Sequence, residues 1–272
     1  MTLLVFSHAN GFPANTYRVL FRHLEARGLT VRAVEKFGHD PRYPVSNNWP
    51  HLVQQLADFA RPEIDQAGEP AFLIGHSLGG FLSLMAAARH PELARGVIML
   101  DSPALGGWKA ATLGLIKSTP IVARVTPGAV SRRRRMHWAD EAAVLAHFQQ
   151  KKMFARWDPA VLQDYVRHGT HEEDGQRVLS FDRGVETAIY NTVPDNLERL
   201  LRRHPLKCPV AFIGGLQSRE MKQVGLQMTE HLTRGRIQML DGTHLFPMER
   251  PAAAAAAIEA TVLNLLTPGA PG

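Results

Sequence analysis

Cysteine is almost absent: Cys208 is the only one in 272 residues. An intrachain disulfide is therefore excluded, and the usage suits a reducing compartment. Cys208 sits just before the apolar run PVAFI and reads as a small core residue rather than a nucleophile. Long hydrophobic runs are missing too. No uninterrupted apolar stretch nears the ~18 residues of a membrane helix. The alanine-rich PAAAAAAIEATVLNLL is interrupted by Glu259 and Asn264 and reads as a surface-packed helix. The opening MTLLVFSH lacks the length and basic start of a secretory signal. A cytoplasmic protein with no membrane insertion is expected. Acidic excess is lacking as well. The net charge is +6, and much of that excess comes from one run, Arg132 to Arg135. Such a run reads as a solvated face, so no specific nucleic-acid partner is expected from it.

What is present is an ordinary globular composition, 45% hydrophobic and 21% charged, in a chain long enough to bury a full core. The first hundred residues alternate strand and helix patterns, the signature of a parallel α/β sheet. TLLVFS (2–7), LTVRAV (29–34), PAFLIG (70–75) and GVIML (96–100) read as strands. TYRVLFRHLEARG (16–28), WPHLVQQLADFARP (49–62) and GGFLSLMAAARHP read as the helices between them. PAFLIG is apolar almost throughout, as a strand covered on both faces must be.

The alternation stops near Pro103 and resumes near residue 191 with PDNLERLLRRH, PVAFIGG, a helix over 221–233, the strand RIQML and a final helix from Pro251. Between those limits the pattern gives helices and loops and no strong strand. The expected organisation is a core of 1–102 and 191–266, a helical cap of 103–190, and a frayed tail of 267–272. Trp108, Trp138, Phe148, Phe154, Trp157 and Tyr165 are scattered through the cap and read as its own core more readily than as a substrate wall.

The strand PAFLIG runs into GHSLGG and straight into a helix. Ser77 therefore stands on a strand-to-helix corner flanked at two residues each side by Gly75 and Gly79. The tight corner brings strand and helix together, strains the serine backbone and projects its hydroxyl from the carboxyl edge of the sheet. The first N–H groups of the helix, starting with Leu78, point at any negative oxygen formed near Ser77. A second donor is offered by FSHANGFP (6–13), where Asn-Gly bends sharply and leaves the amide of Asn10 or Gly11 free to point inward.

FSHANGFP, GHSLGG and GTHLFPMERP, in this order among these strands, resemble the α/β-hydrolase family. The resemblance covers the core, and the insertion falls where the family places its cap. It implies a mostly parallel sheet flanked by helices. Because the chain begins at the strand before FSHANGFP, about six strands are expected, all parallel.

Among thirteen histidines the resemblance singles out His244, in the loop DGTH after the last strand, as the base for Ser77. His76 reads as structural, and His8 and His39 as pocket neighbours. The family acid, when it follows PVAFIGG, falls at Gln217 or Ser218, and neither carries a charge. Asp101, at the end of GVIML, is the preferred alternative. Haloalkane dehalogenases and certain lipases of this family place their acid after that strand. Glu220, or no acid at all, stays open. His168, His171, Glu172 and Glu173 form a tempting metal cluster, but Gly169 and Gly175 mark a loop, and a serine–histidine site needs neither metal nor cofactor.

A serine of this kind is equipped for acyl transfer to water. The expectation is a serine hydrolase acting on a carboxylic ester of a small to medium apolar substrate, through an acyl-enzyme on Ser77. Carbon–carbon, thioester, lactone and amide cleavage stay open, as does a non-catalytic binding module.

Overall fold

Alternation within each strand decides the layering. In a computed structural model that describes residues 2–104 and 131–267, Leu4, Phe6, Phe72, Ile74, Ile98 and Leu100 face one side of a sheet. Leu3, Val5, Leu73, Val97 and Met99 face the other. The strands are β1 (Leu3–Ser7), β2 (Thr30–Ala33), β3 (Ala71–His76) and β4 (Ala94–Leu100). Every residue of β1 and β3 is buried.

Helix α1 (Arg18–Glu25) covers the first face with Leu20 and Leu24. Helices α2 (Pro50–Ala67) and α3 (Leu78–Arg89) cover the second with Leu52, Leu56, Leu82 and Met85. Burying one such leucine is worth about 1.5–3 kcal/mol, so these two apolar layers, not helix propensity, hold the elements in place. Helix α2 runs past Pro62, where the sequence pattern ends it. Ile64 is still buried in the second layer, and Gly68, in the left-handed region, closes the helix by donating to the Ile64 carbonyl.

Two later strands, Val210–Gly215 and Ile237–Leu240, complete a six-stranded sheet in the order Thr30–Ala33, Leu3–Ser7, Ala71–His76, Ala94–Leu100, Val210–Gly215, Ile237–Leu240. Every pairing is parallel. The chain moves outward from β1 to β2, then crosses back to place β3 on the other side of β1. At such a switch the loops after the two adjacent strands part and leave a crevice at their carboxyl ends. Ser7 pairs with Gly75 across it, so the residues after each, 8–13 and 77, open onto the same crevice.

The insertion, expected to be mostly helical with no strong strand, also carries a small sheet. Strands β5 (His137–Trp138), β6 (Thr170–Glu173) and β7 (Gln176–Leu179) form an antiparallel sheet with β7 in the middle. Asp174 and Gly175 both have positive φ, 49° and 74°, which is the two-residue turn that suits the strand twist. The segment RHGTHEEDGQ is thus a helix end and a hairpin, not a loop. Around it lie α4 (Glu141–Gln149), α5 (Pro159–His168) and α6 (Arg183–Asn191), each started by an aspartate side chain accepting a backbone N–H.

Helix α6 runs across the expected boundary at 190–191. Trp108 and residues 268–272 of the expected tail lie outside the described residues. Phe148, Phe154, Trp157 and Tyr165 pack on one another at centroid distances of 4.6–5.7 Å and on Phe12 of the core. They form one aromatic cluster with Phe12, which lies on the loop after β1.

After the insertion come α7 (Leu197–Arg203), β8 (Val210–Gly215), α8 (Arg219–Val224), α9 (Gln227–Thr233), β9 (Ile237–Leu240), α10 (Phe246–Glu249) and α11 (Pro251–Leu266). The single helix expected over 221–233 is two, because Gly225 interrupts it at φ 83°. No helix among the described residues is long and apolar enough to cross a membrane.

Candidate active site

Ser77 links β3 to α3 with φ 53° and ψ −114°, a region that L-residues other than glycine seldom occupy. Three bonds pin this backbone. The Ser77 N–H donates to the Leu100 carbonyl (3.0 Å), and its own carbonyl accepts from Gly80 N–H (3.1 Å) and the Ser102 hydroxyl (2.8 Å). A Cβ at Gly75 would stand 2.0 Å from the Gly79 carbonyl, and one at Gly79 would stand 2.0 Å from the carbonyl oxygen of Ser7. No side chain fits at either place, so strand, helix and the end of β1 close on the serine from three sides.

Asp101 directly follows β4, the neighbouring strand, and is fully buried with φ 43°. One carboxylate oxygen, Oδ1, lies 2.9 Å from Nδ1 of His244 and accepts the Ser218 hydroxyl at 2.6 Å. The other, Oδ2, accepts the Gly215 N–H at 2.6 Å. Burial alone would raise the pKa of this carboxyl. The His244, Ser218 and Gly215 bonds outweigh it and hold the group below the usual carboxylate range. A carboxylate only accepts, so Nδ1 of His244 carries the proton and Nε2 is left with its lone pair. Burial pulls the His244 pKa down, but the Asp101 bond and charge, with a smaller push from Glu220, lift it above the ordinary histidine value.

Glu220 is the poorer partner. Its Oε2 stands 4.0 Å from His244 Nδ1, its side chain is 50% exposed, and its link to Ser218 is 3.5 Å long. Ser218, set aside for want of charge, bridges the two. It donates to Asp101, and it accepts the Met221 N–H that starts α8. Nothing local in the sequence announces that role.

His76 precedes Ser77 and is fully buried. Its Nε2 lies 2.8 Å from the His244 carbonyl, and its Nδ1 lies 2.8 Å from the Tyr17 hydroxyl. Burial pushes its pKa down to about 3, so it is neutral. His8 is neutral too, lowered to about 4 by burial, and ties two loops together. It accepts the Phe37 N–H at Nε2 and donates to the Ala9 carbonyl from Nδ1. His39 likewise sits between the Phe37 carbonyl and the Asp182 N–H. Both histidines expected as pocket neighbours are loop braces.

The Asn10 amide side chain turns to the insertion, donating to the Glu186 carbonyl at 3.0 Å. Its backbone is set by the peptide before it. The Ala9 carbonyl is held by His8 and the Phe12 N–H, so the trans-related Asn10 N–H points the opposite way. Leu78 opens α3 as its first residue.

Other candidates go elsewhere. Arg134 leaves the solvated run and turns inward to pair with Glu186 at 2.5 Å and donate to Tyr165 at 2.6 Å, while Arg132, Arg133 and Arg135 stay exposed. His171 and Glu173 lie 3.6 Å apart on one face of exposed β6, and among the described residues no group of three or more ligand side chains converges. Cys208 is half-buried, with burial raising its thiol to about 11.

A family model described as "Alpha/beta hydrolase family" matches residues 4–257. The chain belongs to this family. Among the curated relatives, human monoglyceride lipase is 28% identical over 129 residues, 46% of this chain and 43% of that one. A monoglyceride lipase homolog of monkeypox virus is 26% identical over 145 residues, 48% and 51%. The chain thus spans about half the length of the curated relatives it matches. The solved structure of E-2-(acetamidomethylene)succinate hydrolase superposes with a TM-score of 0.72 at 22% identity, over 96% of this chain and 91% of that one. That likeness is one of fold.

Proposed function

We propose that this alpha/beta hydrolase cleaves a carboxylic ester of a small to medium apolar substrate through an acyl-enzyme on Ser77. The observation that carries this reading is the His244–Asp101 contact at 2.9 Å, together with a serine held at positive φ whose preceding residue, His76, is bonded to the His244 carbonyl. The matched relatives include a monoglyceride lipase and a monoglyceride lipase homolog, and a monoglyceride is a carboxylic ester.

The residues divide the work as follows. Ser77 Oγ attacks the carbonyl carbon while Nε2 of His244 takes its proton. The tetrahedral oxyanion is met by the backbone N–H groups of Leu78 and Asn10. Collapse expels the alcohol, which takes the proton back from His244. Water then attacks the acyl-enzyme, His244 again acting as base, and Ser77 is restored. Asp101 keeps Nδ1 protonated and stabilises the imidazolium at each pass.

The pH dependence follows from the sign of the His244 shift. The base works only when neutral, and its pKa lies above the ordinary ~6.5. Activity is therefore full on the alkaline side and lost as pH falls through a midpoint above about 6.5. A kcat/KM profile that stays flat down to pH 5 contradicts a histidine base.

A panel of p-nitrophenyl esters from acetate to laurate, run with matched thioesters and anilides, tests the substrate class. Esters of short to medium acyl chains are expected to give the highest kcat/KM. A thioester or anilide preferred by tenfold or more over its ester replaces the reading.

A further inference from the structure

Two buried polar side chains are not used by the mechanism above: Tyr17, 1% exposed just before α1, and His76, 0% exposed at the end of β3 and next to Ser77 in sequence. Their hydrogen bonds can be directed without ambiguity. The His244 carbonyl only accepts, so the His76 Nε2 at 2.8 Å carries a hydrogen and donates it. A neutral imidazole has one N–H, so His76 Nδ1 is a bare acceptor. The Tyr17 hydroxyl, 2.8 Å away, therefore donates to it. That leaves the Tyr17 oxygen free to accept the Ala9 N–H, which reaches it at 3.1 Å. The chain of bonds runs one way, from Ala9 through Tyr17 and His76 to His244.

Its two ends are the notable part. Ala9 is the residue before Asn10, on the loop proposed to supply an oxyanion donor. His244 is the proposed base. These loops lie 235 positions apart in sequence, on opposite flanks of Ser77. We propose that Tyr17 and His76 are positioning residues that lock the loop after β1 and the loop carrying His244 into one fixed relation across the serine. The inference rests on the hydrolase reading of Ser77 and His244.

The physical reason lies in what an apolar filling would leave behind. Phenylalanine and leucine would occupy the same space, with Phe6 already 4.8 Å from the Tyr17 ring. The Ala9 N–H and the His244 carbonyl would then lose their partners in a buried place. Each loop would settle separately. A displacement on the order of 1 Å between base and oxyanion donor costs about a hundredfold in rate, whereas substrate binding depends little on either group. The neutrality of His76 agrees with this wiring, since burial, followed by the nearby His244, disfavours its charged form.

Tyr17→Phe removes one hydroxyl and keeps the ring. It is expected to lower kcat for a p-nitrophenyl ester about tenfold or more with KM within about twofold. The rate of fluorophosphonate labelling should fall in step. Leu56→Ala, in the core on the other face of the sheet, supplies a control destabilised without touching the chain of bonds and should keep its kcat. Nitrogen-15 spectra of the histidines give a readout apart from turnover. His76 in the wild type should be protonated at Nε2 with Nδ1 bare, and Tyr17→Phe should mix the two tautomers.

The proposal is overturned if Tyr17→Phe keeps full kcat, if Leu56→Ala loses kcat equally, or if wild-type His76 carries its proton on Nδ1. A wild type that neither hydrolyses esters nor takes the label sinks the hydrolase reading instead, and the tautomer spectra still decide the wiring.

Discussion

Ser77→Ala is expected to lower ester turnover by about 10⁶-fold, to the level left by binding and the oxyanion donors alone. The loss should fall on chemistry because the backbone around the residue does not depend on its hydroxyl. The bonds to Leu100, Gly80 and Ser102 all use main-chain atoms of residue 77 and survive the change. The strain at φ 53° is carried by the same three bonds. Melting temperature should accordingly stay close to that of the wild type, which separates loss of the nucleophile from loss of the fold. A variant that keeps more than about 1% of wild-type kcat has its nucleophile elsewhere.

Asp101→Asn is the second large effect, and its mechanism is specific. Both oxygens of Asp101 accept: Oδ1 from His244 and Ser218, Oδ2 from Gly215. An asparagine must place an NH₂ where one oxygen stood. Facing Gly215 it opposes donor to donor. Facing His244 it demands a bare Nδ1, which moves the imidazole proton to Nε2 and removes the base. Either way the working tautomer is lost, and a fall near 10⁴-fold in kcat is expected, about 5.5 kcal/mol of transition-state stabilisation. Glu220→Gln should cost under about fivefold, because a half-exposed charge at 4.0 Å is worth at most about 1 kcal/mol. The opposite ranking of these two variants would make Glu220 the working acid.

Much of this was legible in sequence where the signal is local. The corner GHSLGG declares itself because two glycines and a serine satisfy a steric demand within five residues. The parallel sheet follows from apolar runs alternating with helical patterns, and its six strands from those runs together with the family resemblance. Asp101 was within reach because it closes a buried strand, where a carboxylate needs partners. What escaped were interactions made across the fold. Ser218 and Gly215 become donors to Asp101 only when β8 is laid beside β4, 114 residues away in the case of Gly215.

Tyr17 read as one more position of a helix, and its hydroxyl found a use only when α1 reached the end of β3. Arg134 was indistinguishable from its neighbours in RRRR, since which member of a run turns inward is decided by Glu186 and Tyr165. The hairpin of the insertion is a different case. Asp174-Gly175 is a recognisable turn signal, but the strands beside it are four residues each and mostly polar, and β6 exposes three of its four. Periodicity is weak over so short a span.

The central claim is that the Ser77 hydroxyl is a nucleophile activated by His244. Intact-mass spectrometry after exposure to a fluorophosphonate, with peptide mapping of the product, measures this most directly. A single adduct on Ser77 is expected in the wild type, with labelling lost in Ser77→Ala and slowed by several orders of magnitude in a His244→Ala variant. No adduct, or an adduct on any other residue, would contradict the account.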